Sequence, residues 1–300
     1  MSSLLFIGGT GFLGQCFFDS INKKKFSNLK LKKILVVSRK KKFLKSRVNV
    51  KFIKANIQNI KKIPVTNYII YAANSSNYIQ DINGFKNFKK LLSEKHKKTK
   101  ILFTSSGAVY GKSSKKIKFK ETNRISKTKI NKLKGYKINY AKSKIFIEKG
   151  FQKLGQKGFK VVIARLFTFI GKKILNNKNY AIADIIDQAK NPKKKKILLS
   201  STNEVYRGYM NVDDLIIWIV KIMIHSNKNC EIYNVGSDEV VSIKKLAGII
   251  SSKYKKDLYF ANKSIPDRSS DFYVPSIDKA KKRLKLKIKI KLKESIKQLF

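Results

Sequence analysis

Cysteine and histidine are nearly absent from this 300-residue chain, which contains two of each. Cys16 and Cys230 lie far apart in sequence, and two such cysteines fit neither a disulfide framework nor a metal cluster. His96 and His225 are also far apart. We therefore expect no metal site.

Long apolar segments are also missing. No apolar run reaches the ~18 residues that indicate a membrane-spanning helix. The apolar N-terminal segment is interrupted by Gly8-Gly9-Thr10-Gly11, and no basic segment precedes it. These features argue against a membrane span and against a signal peptide. We expect a cytoplasmic protein.

Acidic residues and arginine are scarce as well. The chain has 18 acidic and 69 basic residues, a formal net charge of +51, but only seven of the basic residues are arginine. Proteins that grip phosphate groups favour arginine, because its planar guanidinium binds them with two parallel hydrogen bonds. The lysine excess is spread along the whole chain together with Asn and Ile, as codon drift in an AT-rich genome would produce. We therefore expect a solvated lysine surface and do not expect a nucleic-acid partner.

Short apolar segments alternate with helical patterns over the first 170 residues. Six such segments contain predicted strands, at 3–7, 32–40, 48–57, 67–74, 99–111 and 158–167. Helices are predicted after the first strand and at about 84–98 and 136–155. Apolar strands separated by helices are typical of a parallel sheet covered on both faces. The predicted fold class is therefore α/β, with a doubly wound parallel sheet.

After about residue 171 the pattern changes. Helices are predicted at 180–189, at 212–224 and from Ser242, with short strands between them. We interpret residues 1–170 as one domain and residues 171–300 as a smaller α/β lobe, with some segments free to return to the first domain.

A glycine-rich turn lies between the first predicted strand and the first predicted helix. Gly8, Gly11 and Gly14 have the spacing at which glycine allows a tight turn, a close backbone approach to phosphate, and close packing of helix on strand. A pyrophosphate can then bind at the helix N-terminus. The turn therefore predicts a dinucleotide site.

The second predicted strand ends in Ser38-Arg39-Lys40. A carboxylate at this point would bind the ribose 2′-hydroxyl of NAD, whereas cations attract the 2′-phosphate of NADP. The segment favours NADP over NAD. The lysine excess leaves open the alternative that Arg39 and Lys40 are ordinary surface charges.

Tyr140 and Lys144 are four residues apart on a predicted helix, so they share one face. The spacing alone carries no weight, because a chain so rich in lysine has a few such pairs by chance, and Tyr259 and Lys263 form another. Only the first pair follows a Ser-Gly turn at the end of a predicted strand, in a chain with a dinucleotide site. A nearby ammonium lowers the pKa of a phenol, so this pair predicts acid–base catalysis.

Taken together and in this order, these motifs resemble the extended short-chain dehydrogenase/reductase family, in its nucleotide-sugar epimerase/dehydratase group. The resemblance rests on GGTGFLG (8–14), YAA (71–73), SSGAVYG (105–111), YAKSK (140–144), ARLF (164–167), RGYMNVDDL (207–215), YNVGSDEVVSIKKLA (233–247) and DRSSDFYVPSIDKAKKRL (267–284). It implies a Rossmann domain, a small C-terminal substrate lobe and, usually, a homodimer.

The resemblance also implies roles for individual residues. Tyr140 would exchange a proton with a sugar hydroxyl, Lys144 would hold the nicotinamide ribose, and Ser106, rather than Ser105, would hydrogen-bond the reacting oxygen. Besides Tyr140 and Lys144, the implied cofactor-binding residues are Gly8, Thr10, Gly11, Phe12, Leu13, Gly14, Arg39, Asn56, Ile57, Ala72 and Ala73. The implied substrate-binding residues are Ser106, Thr168, Arg207 and Arg268.

Departures from the family pattern favour some of the family's activities over others. The 4,6-dehydratases carry Thr-Asp-Glu where this chain has Ser106-Gly107-Ala108, which disfavours water elimination. The 4-epimerases commonly hold NAD through an acid after the second strand and are commonly longer. Asn56 replaces a usual Asp, and Thr168 replaces a usual Asn. We expect an NADPH-dependent reductase of a nucleotide-linked 4-keto sugar; the alternatives are a 4-epimerase with bound NAD, and a non-catalytic relative that binds a polyanion.

Overall fold

The computed structural model describes residues 2–26, 29–40, 45–75, 77–176, 180–199, 204–260 and 270–300. The strands are β1 (Ser2–Ile7), β2 (Leu31–Ser38), β3 (Asn49–Lys54), β4 (Tyr68–Tyr71), β5 (Lys100–Ser106), β6 (Lys160–Leu166), β7 (Thr168–Ile170), β8 (Lys196–Leu199), β9 (Val205–Arg207), β10 (Tyr209–Asn211), β11 (Glu231–Val235), β12 (Val241–Ser242), β13 (Asp257–Phe260) and β14 (Asp271–Tyr273). The helices are α1 (Phe12–Asn22), α2 (Tyr78–Leu91), α3 (Lys127–Asn131), α4 (Lys137–Gln156), α5 (Ala181–Lys190), α6 (Val212–Ile224), α7 (Ile243–Tyr254), α8 (Asp278–Leu284) and α9 (Leu292–Lys297).

Seven parallel strands form the central sheet, in the order β11-β6-β5-β4-β1-β2-β3. The chain starts at β1 and winds outward in both directions, so the strand order reverses between β1 and β4. In open α/β sheets the crevice beyond the carboxyl ends of the strands at such a reversal binds ligands. The predicted doubly wound α/β fold, a Rossmann fold, is confirmed.

Two hydrophobic layers cover the two faces of this sheet. Leu4 and Phe6 of β1 face one core, which also contains Trp218 of α6. Leu5 and Ile7 face the other core, with α2 and α4. This alternation explains why β1 is an unbroken apolar run, because both faces of a parallel strand are buried.

The helix predicted at 136–155, which carries the candidate pair Tyr140 and Lys144, is α4, and its apolar face fixes it on the sheet. Phe151 is fully buried, and its ring stacks on Phe103 of β5 with centroids 5.0 Å apart. Replacing such a side chain by Ala typically costs about 3–5 kcal/mol. The packing of Phe151 therefore fixes the C-terminal half of α4 against β5.

Residues after 171 add to this sheet and also form smaller ones. Strand β11 pairs with β6 at one edge of the central sheet. Smaller sheets are β10-β7, β12-β9-β14 and β13-β8. The division at residue 170 remains a prediction. Within the described ranges, no helix has the length and apolar character needed to cross a bilayer.

Candidate active site

The glycine turn after β1 has no room for side chains at two positions. Gly8 has a φ of +83°, and a Cβ built on it would lie 2.8 Å from the backbone oxygen of Ala72. A Cβ on Gly14 would lie 1.9 Å from the backbone oxygen of Gly9. Gly11 is the N-cap of α1 and has no side chain that could cap the helix. The first N–H groups of α1 are therefore left for another acceptor, such as a phosphate.

A cavity of about 1430 Å³ extends from this turn along the carboxyl ends of the strands to α4. Single small-molecule sites usually occupy about 300–1,000 Å³, so this cavity has room for a dinucleotide and a second ligand. The residues assigned from sequence that line it are Gly8, Thr10, Gly11, Phe12, Leu13, Arg39, Asn56, Ile57, Ala72, Ala73, Ser106, Tyr140, Lys144, Thr168 and Arg207. Gly14 lies beneath the turn, and Arg268 falls outside the described residues.

Lys144 is buried in the wall of this cavity, with 3% of its surface exposed. Its Nζ donates to the backbone oxygen of Thr104 at 3.2 Å and lies 5.5 Å from the centroid of the Tyr140 ring. Burial lowers the pKa of Lys144 to about 8, while the carboxylates of Asp81 and Glu148 act in the opposite direction. The ammonium is therefore close to its titration point at neutral to mildly alkaline pH.

Tyr140 lies on the same face of α4, one turn before Lys144. Burial raises the pKa of Tyr140 to about 12, and a hydrogen bond with the Ser106 hydroxyl acts in the opposite direction. The phenol is therefore protonated at neutral pH. It is poised to donate a proton, and it needs additional positive charge nearby before it can act as a base.

The two serines at the end of β5 have different environments. Ser105 donates from Oγ to Glu148 Oε1 at 2.5 Å, away from the tyrosine. Ser106 accepts from the backbone N–H of Ala108 at 3.2 Å, which places its hydroxyl at the start of the 3-10 turn Gly107–Tyr110. The Ser106 hydroxyl is thus hydrogen-bonded with Tyr140, whereas the Ser105 hydroxyl is hydrogen-bonded to Glu148.

Beneath these residues lies a buried polar network. Arg165 of β6 forms two hydrogen bonds with Glu148 of α4, at 3.0 and 2.7 Å, and donates to the Tyr110 hydroxyl at 2.9 Å. Tyr110 in turn donates to Asn234 Oδ1 at 2.8 Å. The network joins α4, β6, β11 and the turn after β5, so it holds together the elements that carry the candidate catalytic residues.

Tyr273 is a site residue that carried no role in the sequence analysis. Its hydroxyl lies 2.7 Å from the position that a Cβ on Gly107 would occupy, and the Phe167 ring lies equally close. Burial raises the pKa of Tyr273 well above its usual value, and a hydrogen bond with Ser106 acts in the opposite direction. An acidic side chain at position 107 therefore does not fit without displacing Tyr273 and Phe167.

Arg207 also lines the cavity, and Asp271 holds its guanidinium in place. Its Nη2 donates to Asp271 Oδ2 at 2.7 Å, and its Nη1 donates to the backbone oxygens of Tyr206 and Asp271 at 2.8 and 2.9 Å. These bonds fix the guanidinium against the Tyr273 ring, 5.5 Å from its centroid. The Nε of Arg207 remains as a donor that is not used in these bonds.

At the other end of the cavity, β2 ends in polar and cationic residues. The hydroxyls of Thr10 and Ser38 are hydrogen-bonded at 2.6 Å, which ties the glycine turn to this strand. Arg39 is exposed and lines the cavity beside them. Asn56 accepts from the backbone N–H of Gln58 at 3.2 Å, so its side chain also stabilises its own turn.

Comparison with known proteins identifies the family of this chain. Residues 4–236 match the family model described as the NAD dependent epimerase/dehydratase family. No curated protein matches the chain.

Solved structures are similar over the whole chain. The dTDP-glucose 4,6-dehydratase of Bacillus anthracis, in complex with NAD, is 20% identical with a TM-score of 0.78, covering 100% of this chain and 95% of its own. The UDP-glucose 4-epimerase of Thermotoga maritima, with UDP-glucose, is 19% identical with a TM-score of 0.74, covering 99% and 97%. The UDP-N-acetylglucosamine 4-epimerase of Methanobrevibacter ruminantium, in complex with UDP-N-acetylmuramic acid, is 18% identical with a TM-score of 0.72, covering 99% and 97%.

At such identities the structural likeness establishes the shared fold, while the family model covers more than three quarters of the sequence. The glycine cradle, the Tyr140–Lys144 pair and the serine turn all lie within the matched residues. The chain therefore belongs to the NAD-dependent epimerase/dehydratase family, a family of enzymes.

Proposed function

We propose that this enzyme is an NADP-preferring oxidoreductase that reduces a 4-keto group on a nucleotide-linked sugar. The observation that carries the proposal is the position of Ser106, Tyr140 and Lys144 on one wall of a cavity whose other end is the glycine cradle. Because Gly11, the N-cap of α1, has no side chain, the cradle suits the close approach of a pyrophosphate to the start of this helix.

Tyr140 supports reduction of the sugar. Its pKa of about 12 keeps the phenol protonated at neutral pH, so it can donate a proton to a carbonyl oxygen. When bound, the nicotinamide cofactor supplies the hydride that reduces the carbonyl carbon. The proton from Tyr140 then completes the alcohol. Ser106 would hydrogen-bond the same oxygen and stabilise the charge that develops on it.

Lys144 has a second task besides its effect on the phenol. An ammonium has three N–H donors, and one of them binds Thr104. The other donors would bind the hydroxyls of the nicotinamide ribose. A lysine buried to this degree is fixed in position, so it would orient the ribose relative to Tyr140.

Arg39 supports the preference for NADP. It lines the cavity at the end of β2, where the chain has no acid that would repel a 2′-phosphate. A guanidinium–phosphate pair is a strong, charge-assisted interaction. Lys40 follows in the sequence and adds positive charge.

The substrate class is supported by the relatives and by the second half of the cavity. The named relatives act on or were solved with sugars linked to UDP or dTDP. In this chain Thr168 and Arg207 also line the cavity. The Thr168 hydroxyl and the Nε of Arg207, which is not used in the bonds to Asp271, would be donors for the diphosphate of such a substrate. We also propose a homodimer in the cytoplasm, which size-exclusion chromatography with light scattering and localisation of a tagged protein would test.

The direct test offers NADPH with 4-keto nucleotide sugars and follows the loss of nicotinamide absorbance. We expect turnover in the parent enzyme and a loss of about 10²–10⁴-fold in Tyr140→Phe, the usual contribution of a positioned acid. Tyr259→Phe is the matched control, because Tyr259 is a half-exposed residue of β13 that does not line the cavity. Absence of NADPH oxidation with every 4-keto substrate would count against the reductase.

A 4-epimerase is the second candidate, and the comparisons favour it as strongly. Two of the solved relatives are 4-epimerases with TM-scores of 0.74 and 0.72. An epimerase would interconvert two nucleotide sugars with catalytic NAD and no net change in nicotinamide absorbance. Product analysis by NMR, with the cofactor that co-purifies identified by mass spectrometry, separates the two candidates. The absence of an acid at Gly107 and Ala108 argues against a dehydratase, and the Tyr273 hydroxyl and the Phe167 ring occupy the space where a side chain at position 107 would lie.

A further inference from the structure

A buried carboxylate, that of Asp81, lies in the wall of the cavity that the candidate catalytic lysine also lines. Asp81 belongs to the first turn of α2 and is 9% exposed. It lines the same cavity as Lys144, which is 3% exposed. Both α2 and α4 cover the same face of the sheet and are in contact, so the two buried groups belong to neighbouring helices.

The hydrogen bonds of Asp81 come from neutral donors. Its Oδ1 accepts from the backbone N–H and from Oγ of Ser75, both at 2.7 Å. The hydroxyl of Ser143, the residue before Lys144, donates to the backbone oxygen of Tyr140 at 2.9 Å and reaches Asp81 Oδ2 at 3.5 Å. These bonds fix the carboxylate in place, and no cation lies within salt-bridge distance of it in the part of the chain that the structure describes.

Glu148, the other carboxylate near Lys144, differs in this respect. It is one turn further along α4 and forms a bidentate ion pair with Arg165. Its negative charge is therefore largely neutralised by a guanidinium. Asp81 has no such partner, so its charge remains available to the buried ammonium.

We propose that Asp81 is a positioning residue for catalysis, whose carboxylate keeps the buried Lys144 in its ammonium form beside Tyr140. The proposal rests on the proposed role of Lys144 at the nicotinamide ribose. It accounts for how a lysine can be buried in an apolar wall and still carry the charge that the site needs. The buried charges then balance, with Asp81 and Lys144 in the wall of one cavity and Glu148 paired with Arg165.

The groups around Lys144 set the direction of the expected effect. Asp81 approaches from α2, Tyr140 and Glu148 lie on α4 itself, and β5 contributes the backbone oxygen of Thr104 and the Phe103 ring. Tyr71 of β4 is buried beside Asp81, and burial raises its pKa, so it stays neutral. Burial lowers the pKa of Lys144 to about 8. Two carboxylates act in the opposite direction, and Asp81 has a larger effect on this pKa than Glu148. Removing that charge lowers the pKa of Lys144 further, so the ammonium is lost at a lower pH.

The test measures NADPH affinity against pH by fluorescence titration, in the parent and in Asp81→Asn. Asn keeps the size of the side chain and an oxygen that can accept from Ser75, but it removes the charge. In the parent we expect affinity to fall with an inflection near pH 8, where Lys144 deprotonates. In Asp81→Asn the inflection should move to lower pH by about one unit, and the pH profile of turnover should move with it.

Two control variants distinguish the effect of the charge at position 81 from an effect of the substitution on the structure. Asp81→Glu restores the charge and should return the inflection towards that of the parent. Asp184→Asn removes a different cavity carboxylate, one that accepts from Gln188 on its own helix α5, and should leave the inflection in place. If Asp81→Asn fails to fold, as judged by circular dichroism, Asp81→Ser provides a second neutral variant.

An unchanged inflection in a folded, uncharged variant at position 81 would overturn the proposal. So would a parent protein whose NADPH affinity does not depend on pH near 8. The binding measurement uses no sugar, so it stays informative if nucleotide sugars prove not to be substrates. In that case the proposed function would fail while the role of Asp81 towards the cofactor could still hold.

Discussion

Gly14→Ala gives the sharpest test of the dinucleotide cradle. The added Cβ would lie 1.9 Å from the oxygen, 2.5 Å from the carbonyl carbon and 2.8 Å from the Cα of Gly9. All three are backbone atoms, so no side chain can rotate away. Ordinary contact begins at 3.4 Å, so α1 and the turn must separate by about 1.5 Å in a core that packs like a crystal. Overpacking of this kind typically costs about 1–3 kcal/mol of stability.

The functional effect should be larger than the loss of stability. The same displacement moves the N–H groups at the start of α1 away from the phosphate position, and an error of about 1 Å in a positioned group can cost about 10²-fold. We expect NADPH affinity, measured by fluorescence titration, to fall by about that factor in protein that is still folded at the assay temperature.

Gly248→Ala is the matched control, because nothing lies within 4 Å of a Cβ at this position in the interior of α7. Ala is favoured over Gly in a helix by about 0.5–1 kcal/mol, which should raise the melting temperature by about 2 °C with no change in NADPH affinity. If Gly14→Ala bound NADPH as the parent does, the glycine turn would not be the phosphate cradle, and the cofactor assignment would fall with it.

Three further changes test other parts of the site. Arg39→Asp should reverse a preference for NADPH over NADH, since a charge-assisted bond to the 2′-phosphate contributes about 1.5–3 kcal/mol, or roughly 10- to 100-fold in affinity; equal affinities in the parent would mean that Arg39 is surface charge only. Lys144→Met should weaken both turnover and NADPH affinity, whereas Tyr140→Phe should reduce turnover alone; equal loss of affinity in both variants would contradict the separate roles. Glu148→Gln should destabilise the fold by about 3–5 kcal/mol in urea unfolding, because Arg165 is left buried without its counter-ion; a loss below 1 kcal/mol would show that the pair behaves like a surface salt bridge.

Much of the fold could be predicted because its signals are local. The helix expected at 212–224 is α6, Val212–Ile224, since acids occupy its first turn and a dense apolar pattern fills the rest. The predicted segment 158–167 contains β6, Lys160–Leu166. The predicted helix at 84–98 is wrong in its bounds: α2 begins at Tyr78, where Asn77 accepts from the backbone N–H of Gln80 at 3.0 Å. It ends at Leu91, before an extended Leu92, and only a 3-10 turn covers Glu94–Lys98.

The parts of the site that escaped prediction depend on distant contacts. Asp81 and Lys144 are 63 residues apart in sequence, and nothing in the segment around Asp81 indicates that it lines the same cavity as a buried lysine. Tyr273 reaches Gly107 only because β14 pairs with β9 beside the cavity. Short spacings reveal partners on one helix, such as Tyr140 and Lys144. Partners on different elements appear only once the sheet order is known.

Because lysine is so abundant, the sequence does not show which lysines have a function and which are ordinary surface charges. Burial separates the two groups. Among the described residues Lys144 is the one lysine classed as buried. Other lysines that approach the interior reach backbone oxygens at helix ends, as Lys100 does at Ile224 and Lys256 at Gln188 and Asn191. Burying an ammonium costs several kcal/mol unless it is compensated. Compositional drift adds lysine where it is harmless, on the surface. A buried lysine beside a phenol, in the wall of a cavity that a buried carboxylate also lines, is better explained by a function that requires its charge.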